Sequence, residues 1–386
     1  MLNTELTDCT GCTLCECVCP VKAIQIKEKF CGYCYPEVDI HKCIDCNVCN
    51  KFCPTQKITL NEDTKRVFAG YTNNKDELLK RTSGGVATEL ATLYLESGGI
   101  VYGVAYSDNF KNAKHIRVDK VENLNKILGT KYVQADMQNI FVQIKKDIDI
   151  GYNVLFVGLP CEVAAVKNYL KNKIKNVFFC ELVCHGPASK KTLREYVEFL
   201  EKINHSTLTD LNVRYKKFGW KTPYLKALFS NGKIYSEKFY STEYGEAFYL
   251  QGRESCYNCK FKGRNSQADI TVGDFWGVKE SDEIYNPNGV SICLCHTNRS
   301  IDILQKLKNF EILEVTYESA LNKNEDIIKS RKKHNKTQIF ADIYNKEGLI
   351  KSLTMIKKRK EKFKYFLKFI YKRAFYDFYK IYNKKN

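Results

Sequence analysis

The spacing of hydrophobic positions along the chain changes character near residue 62. Before that point, apolar residues come in short runs between closely spaced cysteines, and residues 23–26 alternate as in a strand. After a polar stretch at 61–66, the spacing becomes that of ordinary helices and strands. The pattern therefore predicts a small N-terminal head followed by a larger body.

The periodicity of the body predicts one mixed α/β unit of about 280 residues. Apolar positions at helical spacing favour helices over 86–96, 121–128, 137–146, 161–170, 190–203 and 300–309. Short apolar or alternating runs favour strands over 99–106, 153–157, 176–182, 268–272 and 290–295. The pair Asn231-Gly232, between apolar runs, predicts a hairpin with a type I′ turn.

The composition is that of a folded protein with more than one domain. Of its 386 residues, 27% are charged and 44% are hydrophobic, so neither disorder nor a fibrous repeat fits. No stretch reaches the roughly 18 uninterrupted apolar residues of a membrane span, and the first residues lack the basic and apolar regions of an export signal. A cytoplasmic location is expected.

Positive charge is concentrated at the C-terminal end. The formal net charge is +18, and residues 351–386 hold 13 Lys or Arg against two acids, with aromatic residues among them. A basic aromatic helix can lie on an anionic membrane surface, and docking on the body or on a partner protein is the alternative. We therefore expect a contact with the inner membrane face or with a partner. Nucleic acid is not expected, because no recognition fold accompanies the charge.

The head contains an internal repeat, whose second copy lies 34 residues after the first, and the fourth cysteine of each copy is followed by proline. The four cysteines of the first copy and then of the second are Cys9, Cys12, Cys15 and Cys19, and Cys43, Cys46, Cys49 and Cys53. The head holds 11 of the 18 cysteines. Without an export signal, so many thiols indicate metal sites rather than disulfides.

Each copy has the Cys-x-x-Cys-x-x-Cys-x-x-x-Cys-Pro spacing with which bacterial-type ferredoxins hold cubane clusters. Three thiolates of a run serve one cluster and the fourth serves the other. The predicted 4Fe-4S ligand sets are Cys9, Cys12, Cys15 and Cys53, and Cys43, Cys46, Cys49 and Cys19. Zinc is the alternative, although it needs no triple run followed by Cys-Pro. Residues 1–60 resemble the two-cluster ferredoxins.

The remaining cysteines have weaker patterns. Those in the head are Cys17, Cys31 and Cys34, and inert or redox-labile thiols are favoured there over further metal ligands. Those in the body are Cys161, Cys180, Cys184, Cys256, Cys259, Cys293 and Cys295. From spacing alone, a third four-thiolate site and simple apolar filling are equally compatible with the body cysteines. His185 is expected to hold its loop by a hydrogen bond rather than to relay a proton.

Six short segments of the body follow one another in a distinctive order. They are Thr82-Ser-Gly-Gly-Val, Gly129-Thr-Lys-Tyr, Gly158-Leu-Pro-Cys, Cys184-His-Gly, Cys256-Tyr-Asn-Cys-Lys-Phe-Lys and Ala268-Asp-Ile-Thr-Val-Gly-Asp-Phe-Trp-Gly. Between about residues 71 and 317 the chain thereby resembles the coenzyme F420 hydrogenase/dehydrogenase beta-subunit family. The resemblance implies a non-covalent FAD and one body 4Fe-4S cluster, whose ligands would be Cys161, Cys184, Cys256 and Cys259.

The same segments supply the candidate flavin-binding residues. These are Thr82, Ser83, Gly84, Gly85, Thr130, Lys131, Tyr132, Pro160, Asp274 and Phe275. Glycines before a helix allow a pyrophosphate to approach free N–H groups, and a plain serine N-cap with a glycine turn is the alternative. Lys131 is the candidate catalytic residue because a cation can stabilise the negative charge of a reduced flavin. A solvated lysine beside a core tyrosine is the alternative.

These observations predict an α+β protein with a two-cluster ferredoxin-like head over 1–62, a mixed α/β flavin-binding body over 70–320, and a basic helical tail over 330–386. A boundary within the body is expected near 150–160.

The predicted function is an iron-sulfur flavoprotein oxidoreductase with three 4Fe-4S clusters and FAD. It would pass electrons between a ferredoxin or other redox protein and a small acceptor such as a deazaflavin. A non-catalytic electron-transfer subunit and a zinc-stabilised binding protein are the alternatives. The clusters also suggest an anaerobe.

Overall fold

The structure is a computed structural model that describes residues 2, 5, 7–56, 58, 64–137 and 139–357. No helix within these ranges is long and apolar enough to cross a membrane. The basic aromatic segment beyond residue 357, on which the expected membrane contact depends, lies outside the described residues.

The head consists of two short helices and one hairpin. Its elements are α1 Leu14–Cys17, β1 Ile24–Glu28, β2 Cys34–Val38 and α2 Val48–Phe52. Strand β1 pairs antiparallel with β2, and Ile26 lies opposite Pro36 in the middle of the pair. The sequence predicted β1 but not β2.

The two copies of the cysteine repeat share one backbone conformation. Gly11 and Thr13 have φ angles of 71° and 64°, and 34 residues later Asp45 and Asn47 have φ angles of 50° and 61°. A short helix begins directly after this turn in each copy. Because residues other than glycine rarely adopt the left-handed region, two such positions at matching places indicate that the repeat is structural.

The body is built from eleven further strands and eleven further α-helices within the described residues. The strands are β3 Arg66–Thr72, β4 Ile100–Tyr106, β5 Ala113–Val118, β6 Val154–Gly158, β7 Val177–Leu182, β8 Leu208–Tyr215, β9 Tyr224–Phe229, β10 Ile234–Lys238, β11 Ile270–Asp274, β12 Ser291–Cys295 and β13 Phe310–Glu314. The helices are α3 Lys75–Lys80, α4 Val86–Glu96, α5 Ile140–Ile150, α6 Pro160–Leu170, α7 Lys190–Asn204, α8 Glu243–Leu250, α9 Glu254–Tyr257, α10 Asn298–Leu304, α11 Tyr317–Leu321, α12 Thr337–Glu347 and α13 Leu349–Ile356.

Eight of the strands form one mixed sheet in the order β13-β3-β12-β11-β7-β6-β4-β5. Its centre is parallel, since β4, β6, β7 and β11 pair in the same direction, and the outer strands are antiparallel. Strand β6 lies within the region 150–160, where a boundary was expected, and it pairs with β4 in this sheet. The expected mixed α/β architecture is therefore confirmed.

Helices cover both faces of this sheet. Val101 of β4 packs in a cluster with α4, whereas its neighbours Ile100 and Tyr102 pack in another cluster with α5 and α6. Because strands buried on both faces are apolar throughout, they appear in the sequence as continuous hydrophobic runs. This explains why the sequence identified the central strands.

A second core joins the head to the C-terminal helices. It contains the antiparallel sheet β10-β9-β8 together with α7, α8, α12 and α13. Tyr33 and Tyr35 of the head are buried in the same cluster as Phe340 and Tyr344 of α12. The first part of the region predicted as a tail is thus packed into the core.

The β9-β10 hairpin is confirmed, but its predicted type I′ turn is wrong. Only Gly232 of the pair Asn231-Gly232 has a positive φ, of 80°. Gly232 N donates to Phe229 O at 2.9 Å, and Phe229 N donates to Lys233 O at 3.0 Å. This is the three-residue loop in which a type I turn ends in a left-handed glycine.

Candidate functional site

A cavity of about 1150 Å³ opens at the carboxyl ends of the parallel strands β6, β7 and β11. Gly158, Leu182 and Gly273 line it at these strand ends. Ligands of open α/β sheets bind at this edge. The volume exceeds the roughly 300–1,000 Å³ of pockets for drug-sized ligands, so the cavity can hold a large cofactor.

Seven of the ten predicted flavin-binding residues line this cavity. They are Thr82, Ser83, Gly85, Thr130, Lys131, Tyr132 and Asp274. Pro160 instead lines a neighbouring cavity, and Phe275 is buried in a core cluster. Gly84 is packed against the sheet, where a Cβ atom would collide with the Gly70 carbonyl of β3.

The start of α4 has two features that suit an anion. Gly85 is the N-cap, with a φ of 95° and no side-chain cap, while the Ser83 hydroxyl donates to Val290 O at 2.8 Å. Arg81 is only 8% exposed, lines the cavity, and pairs with Glu77 through Nη2. Its Nε and Nη1 are buried without a hydrogen-bond partner. Uncapped helix amides and unpaired buried donors together favour a negatively charged ligand.

Lys131 lies in the cavity wall with its side chain buried. Its Nζ donates to the carbonyls of Leu128 at 2.8 Å and Gly129 at 3.0 Å. Burial lowers the pKa of Lys131 to about 7. The amine is therefore able to gain or lose a proton near neutral pH.

Arg214 was not predicted from the sequence and ties the cavity walls together. Its Nη2 donates to both carboxylate oxygens of Asp274, at 3.0 and 3.1 Å, and its Nη1 donates to the Tyr132 hydroxyl at 3.3 Å. The guanidinium lies 5.2 Å from the Trp276 ring centroid, and Trp276 stacks on Trp220. Burial raises the pKa of Asp274, and Arg214 opposes this rise. No local pattern marks an arginine of this kind, because its partners come from distant segments.

The four predicted cluster cysteines of the body line a second, smaller cavity of about 40 Å³. They are Cys161, Cys184, Cys256 and Cys259. Burial raises the pKa of the Cys161 thiol, and Glu162 and the other three cysteines add to the rise, so the four sulfurs are close neighbours. Gly186, with a φ of 110°, lies against them, and a Cβ atom there would lie 3.3 Å from Cys256 Sγ.

The two cavities adjoin each other. Both are lined by Leu159, Glu162 and residues 184–187. Within this shared loop, His185 Nδ1 lies 3.0 Å from Asp326 Oδ2, an ion-pair contact that holds the loop. A group bound among the four cysteines would thus lie next to a ligand of the large cavity.

One predicted ligand set of the head lies beside the same small cavity. Cys12 lines it, and burial raises the pKa of the Cys12 thiol to about 12, with further contributions from Cys9 and Cys53. The pKa of Cys15 is also raised by burial and by these three neighbours. Cys53 of the second repeat therefore lies with the first three cysteines of the first repeat, as the ferredoxin spacing predicts.

The other predicted set lies nearer to solvent. Cys46 is exposed, and it adds to the rise that burial causes in the pKa of Cys49. The Cys19 thiol accepts a hydrogen bond from Ala23 N at 3.2 Å. Beside this set, the side chains of Ile40 and Ile44 are each 62% exposed.

Four of the six cysteines outside the three sets are buried. Cys180, Cys293 and Cys295 are buried in the core of the large sheet, and Cys31 is buried near α12. Among the described residues, no three His, Cys, Asp or Glu side chains are arranged to hold a single metal ion. A cubane differs in this respect, because its four thiolates bind four different irons and lie farther apart than the ligands of one ion.

A cysteine-rich N-terminal unit and a large mixed sheet with a cavity at its carboxyl edge define the chain as a mixed α/β protein. Residues 151–320 match the family described as the C terminus of the coenzyme F420 hydrogenase/dehydrogenase beta subunit. This segment is therefore similar to that family, which supports the resemblance found in the motifs.

Among solved structures, the chain is similar to one from the F420-reducing NiFe hydrogenase complex of Methanosarcina barkeri. The two chains are 19% identical, with a TM-score of 0.48, and the match covers 70% of this chain and 90% of that one. No curated protein matches the chain.

Proposed function

We propose that the chain is an iron-sulfur flavoprotein oxidoreductase with three 4Fe-4S clusters and FAD. It would pass electrons between a ferredoxin or other redox protein and a small redox acceptor, for which the family name indicates a deazaflavin. The observation that carries this proposal is the shared wall of the two cavities: four cysteines surround one cavity, and most predicted flavin residues line the other.

The body cysteines would hold one cluster, which we term the body cluster. Cys161 lies in the first turn of α6, Cys184 follows β7, and Cys256 and Cys259 flank the end of α9. Thiolates from three separate segments thereby converge on one cavity, and this convergence depends on tertiary structure rather than on local spacing. Gly186 supports the assignment, because a Cβ atom at that place would press against Cβ and Sγ of Cys256.

The head would hold two further clusters at different depths. We term the set Cys9, Cys12, Cys15 and Cys53 the inner head cluster and the set Cys43, Cys46, Cys49 and Cys19 the outer head cluster. Cys12 lines the cavity of the body cysteines, whereas Cys46 is exposed. This favours one order of electron carriers: redox partner, outer head cluster, inner head cluster, body cluster and flavin. The exposed Ile40 and Ile44 offer an apolar surface for the partner.

The large cavity would hold FAD. Bound FAD supplies the exchange of two electrons with the acceptor and of single electrons with iron-sulfur centres. Arg81 and the first amides of α4 would bind the pyrophosphate, since they combine a buried cation with an uncapped helix start. Lys131 would stabilise negative charge on the ring system, and Arg214 would fix Asp274 and Tyr132 in the wall.

Anaerobic purification followed by counting of iron, sulfide and flavin tests this proposal. Three cubane clusters predict about twelve irons and one FAD per chain. Cys256→Ser should lower the iron content to about eight, whereas Cys17→Ser, a matched change outside the three sets, should leave it unchanged. About eight irons and no flavin in the unaltered protein would refute the body assignment, and zinc in place of iron would refute all three clusters.

A further inference from the structure

Arg253 is a body residue that is hydrogen bonded to the head. Its side chain is buried, with 2% of the residue exposed. Nη1 donates to the carbonyl of Cys9 at 3.1 Å, and Nη2 donates to the carbonyl of Cys34 at 2.6 Å and to Gln134 Oε1 at 3.0 Å. One guanidinium thus binds the backbone of a proposed ligand of the inner head cluster.

The head loop is shaped to receive this guanidinium. A Cβ atom at Gly11 would collide with the end of the Arg253 side chain and with Gln134 Nε2, which donates to Thr10 O at 2.9 Å. The matching position in the second repeat is Asp45, which has a similar φ and carries a side chain. The repeat itself therefore tolerates a side chain at this position, and the absence of one at residue 11 is explained by the arginine.

Arg253 also lies beside the body cysteines. Cys256 N donates to Arg253 O at 2.9 Å, and both Arg253 and Cys12 line the cavity of the four body cysteines. The positive charge therefore lies next to both proposed cluster sites.

The charge of Arg253 lacks an acidic partner among the described residues, and its Nε is buried without a hydrogen bond. The rings of Tyr33 and Tyr35 lie 5.2 and 4.3 Å from the guanidinium carbon, measured to their centroids. A buried charge is costly unless an opposite charge compensates it. The negative charge of four thiolates exceeds the positive charge of a cubane core. A bound cluster is therefore an anion, and reduction makes it more negative.

We infer that Arg253 is a positioning residue that sets the reduction potentials of the inner head cluster and the body cluster together. This inference rests on the proposed function. Its hydrogen bonds fix the head loop against the body, and its charge stabilises the reduced form at both sites, because the net charge around a cluster helps to set its potential. Between the two sites one electron is transferred, and no bond is made or broken.

The test is a redox titration of the fully loaded protein, followed by electron paramagnetic resonance. Arg253→Gln should move two of the three midpoint potentials to more negative values and leave the third unchanged. Arg253→Lys should restore most of this shift, because the charge is retained. Arg194→Gln is the matched control: it removes an exposed contact of the head, with Glu28 at 3.1 Å, and should move no potential.

A second variant keeps the test decisive if Arg253→Gln loses iron. Gln134→Glu is nearly isosteric, places a negative charge beside the guanidinium, and should move the same two potentials in the same direction. If Arg253→Gln keeps its full iron content and its potentials do not move, the role of Arg253 is overturned, whereas the proposed function is not. Where Arg253→Gln cannot be loaded with iron, the same result in Gln134→Glu overturns that role. An unaltered protein that binds no iron would overturn the proposed function itself, so the two failures are distinguishable.

Discussion

The hydroxyl of Tyr33 in the head donates a hydrogen bond to the backbone carbonyl of Pro187, at 2.9 Å. Pro187 belongs to the loop that lines both cavities, two residues from His185. The hairpin of the head therefore holds the loop between the proposed cluster site and the proposed flavin site. Head and body form one structural unit at this point, and changes in either should affect the other.

Tyr33→Phe tests this link without removing the ring. It leaves the Pro187 carbonyl without this donor, and we expect a loss of about 1 kcal/mol in the free energy of unfolding. Chemical denaturation of the loaded protein measures the change. Tyr249→Phe, at a residue that is 55% exposed, is the control and should be neutral. Equal stability of the two variants would contradict a structural role for the bond.

Gly186→Ala should empty the body cluster site. The new Cβ atom would lie 3.2 Å from Cys256 Cβ and 3.3 Å from its sulfur, at a φ that disfavours any side chain. We expect the iron content to fall from about twelve to about eight per chain. Gly232→Ala isolates the backbone effect, since its φ is also positive but no atom lies within 4 Å of the new Cβ. Full iron content in Gly186→Ala would contradict the predicted ligand set.

Arg81→Leu should weaken FAD binding. A hydrogen bond to a charged group contributes about 1.5–3 kcal/mol, so the dissociation constant should rise by roughly 10-fold to 100-fold. The variant also loses the ion pair of Arg81 with Glu77, so the stability of the cofactor-free protein is measured separately by denaturation. Flavin fluorescence during titration of the cofactor-free protein measures the affinity. Arg66→Leu, which removes an exposed ion pair with Glu314, is the control. Unchanged affinity in Arg81→Leu would place the pyrophosphate elsewhere.

Lys131→Met should change the dependence of stability on pH. Burial lowers the pKa of Lys131 from 10.5 to about 7, so between these values the unfolded state binds more protons than the folded state. The stability of the unaltered protein relative to the variant should therefore rise as the pH increases from about 7 to about 10.5. Denaturation curves at several pH values measure this, and a flat difference would show that Lys131 keeps an ordinary pKa.

Lys216 provides a matched control for the role of Lys131 in the cavity. Burial also lowers the pKa of Lys216 to about 7, yet its Nζ donates to Leu78 O and Ser83 O, and it does not line the cavity. Both methionine variants should change the pH profile of stability. Only Lys131→Met should shift the flavin potential, and it should do so toward more negative values. If the flavin potential is unchanged in Lys131→Met as well as in Lys216→Met, Lys131 does not have the proposed chemical role.

The sequence predicted the parts of the site that local patterns encode. Cysteine spacing placed Cys53 with Cys9, Cys12 and Cys15, because the ferredoxin run specifies which thiolate crosses to the other set. Continuous apolar runs identified the central strands of the large sheet, since strands buried on both faces contain few polar residues. Strand β2 was missed because Pro36 interrupts it, although a proline is tolerated in a two-stranded edge.

The residues that the sequence missed act through distant partners. Arg214 is 60 residues from Asp274, and Arg253 is 244 residues from Cys9. Neither lies in a motif, and the function of each comes from the charge or carbonyl that tertiary structure brings to it. Phe275 and Trp276 illustrate the same limit. The motif contains both rings, but only the fold determines that Trp276 lines the cavity while Phe275 packs in the core.

The loop at 184–187 forms part of the partition between the two cavities. With both groups bound as proposed, loss of metal from the cysteine side would therefore alter residues that also line the flavin side.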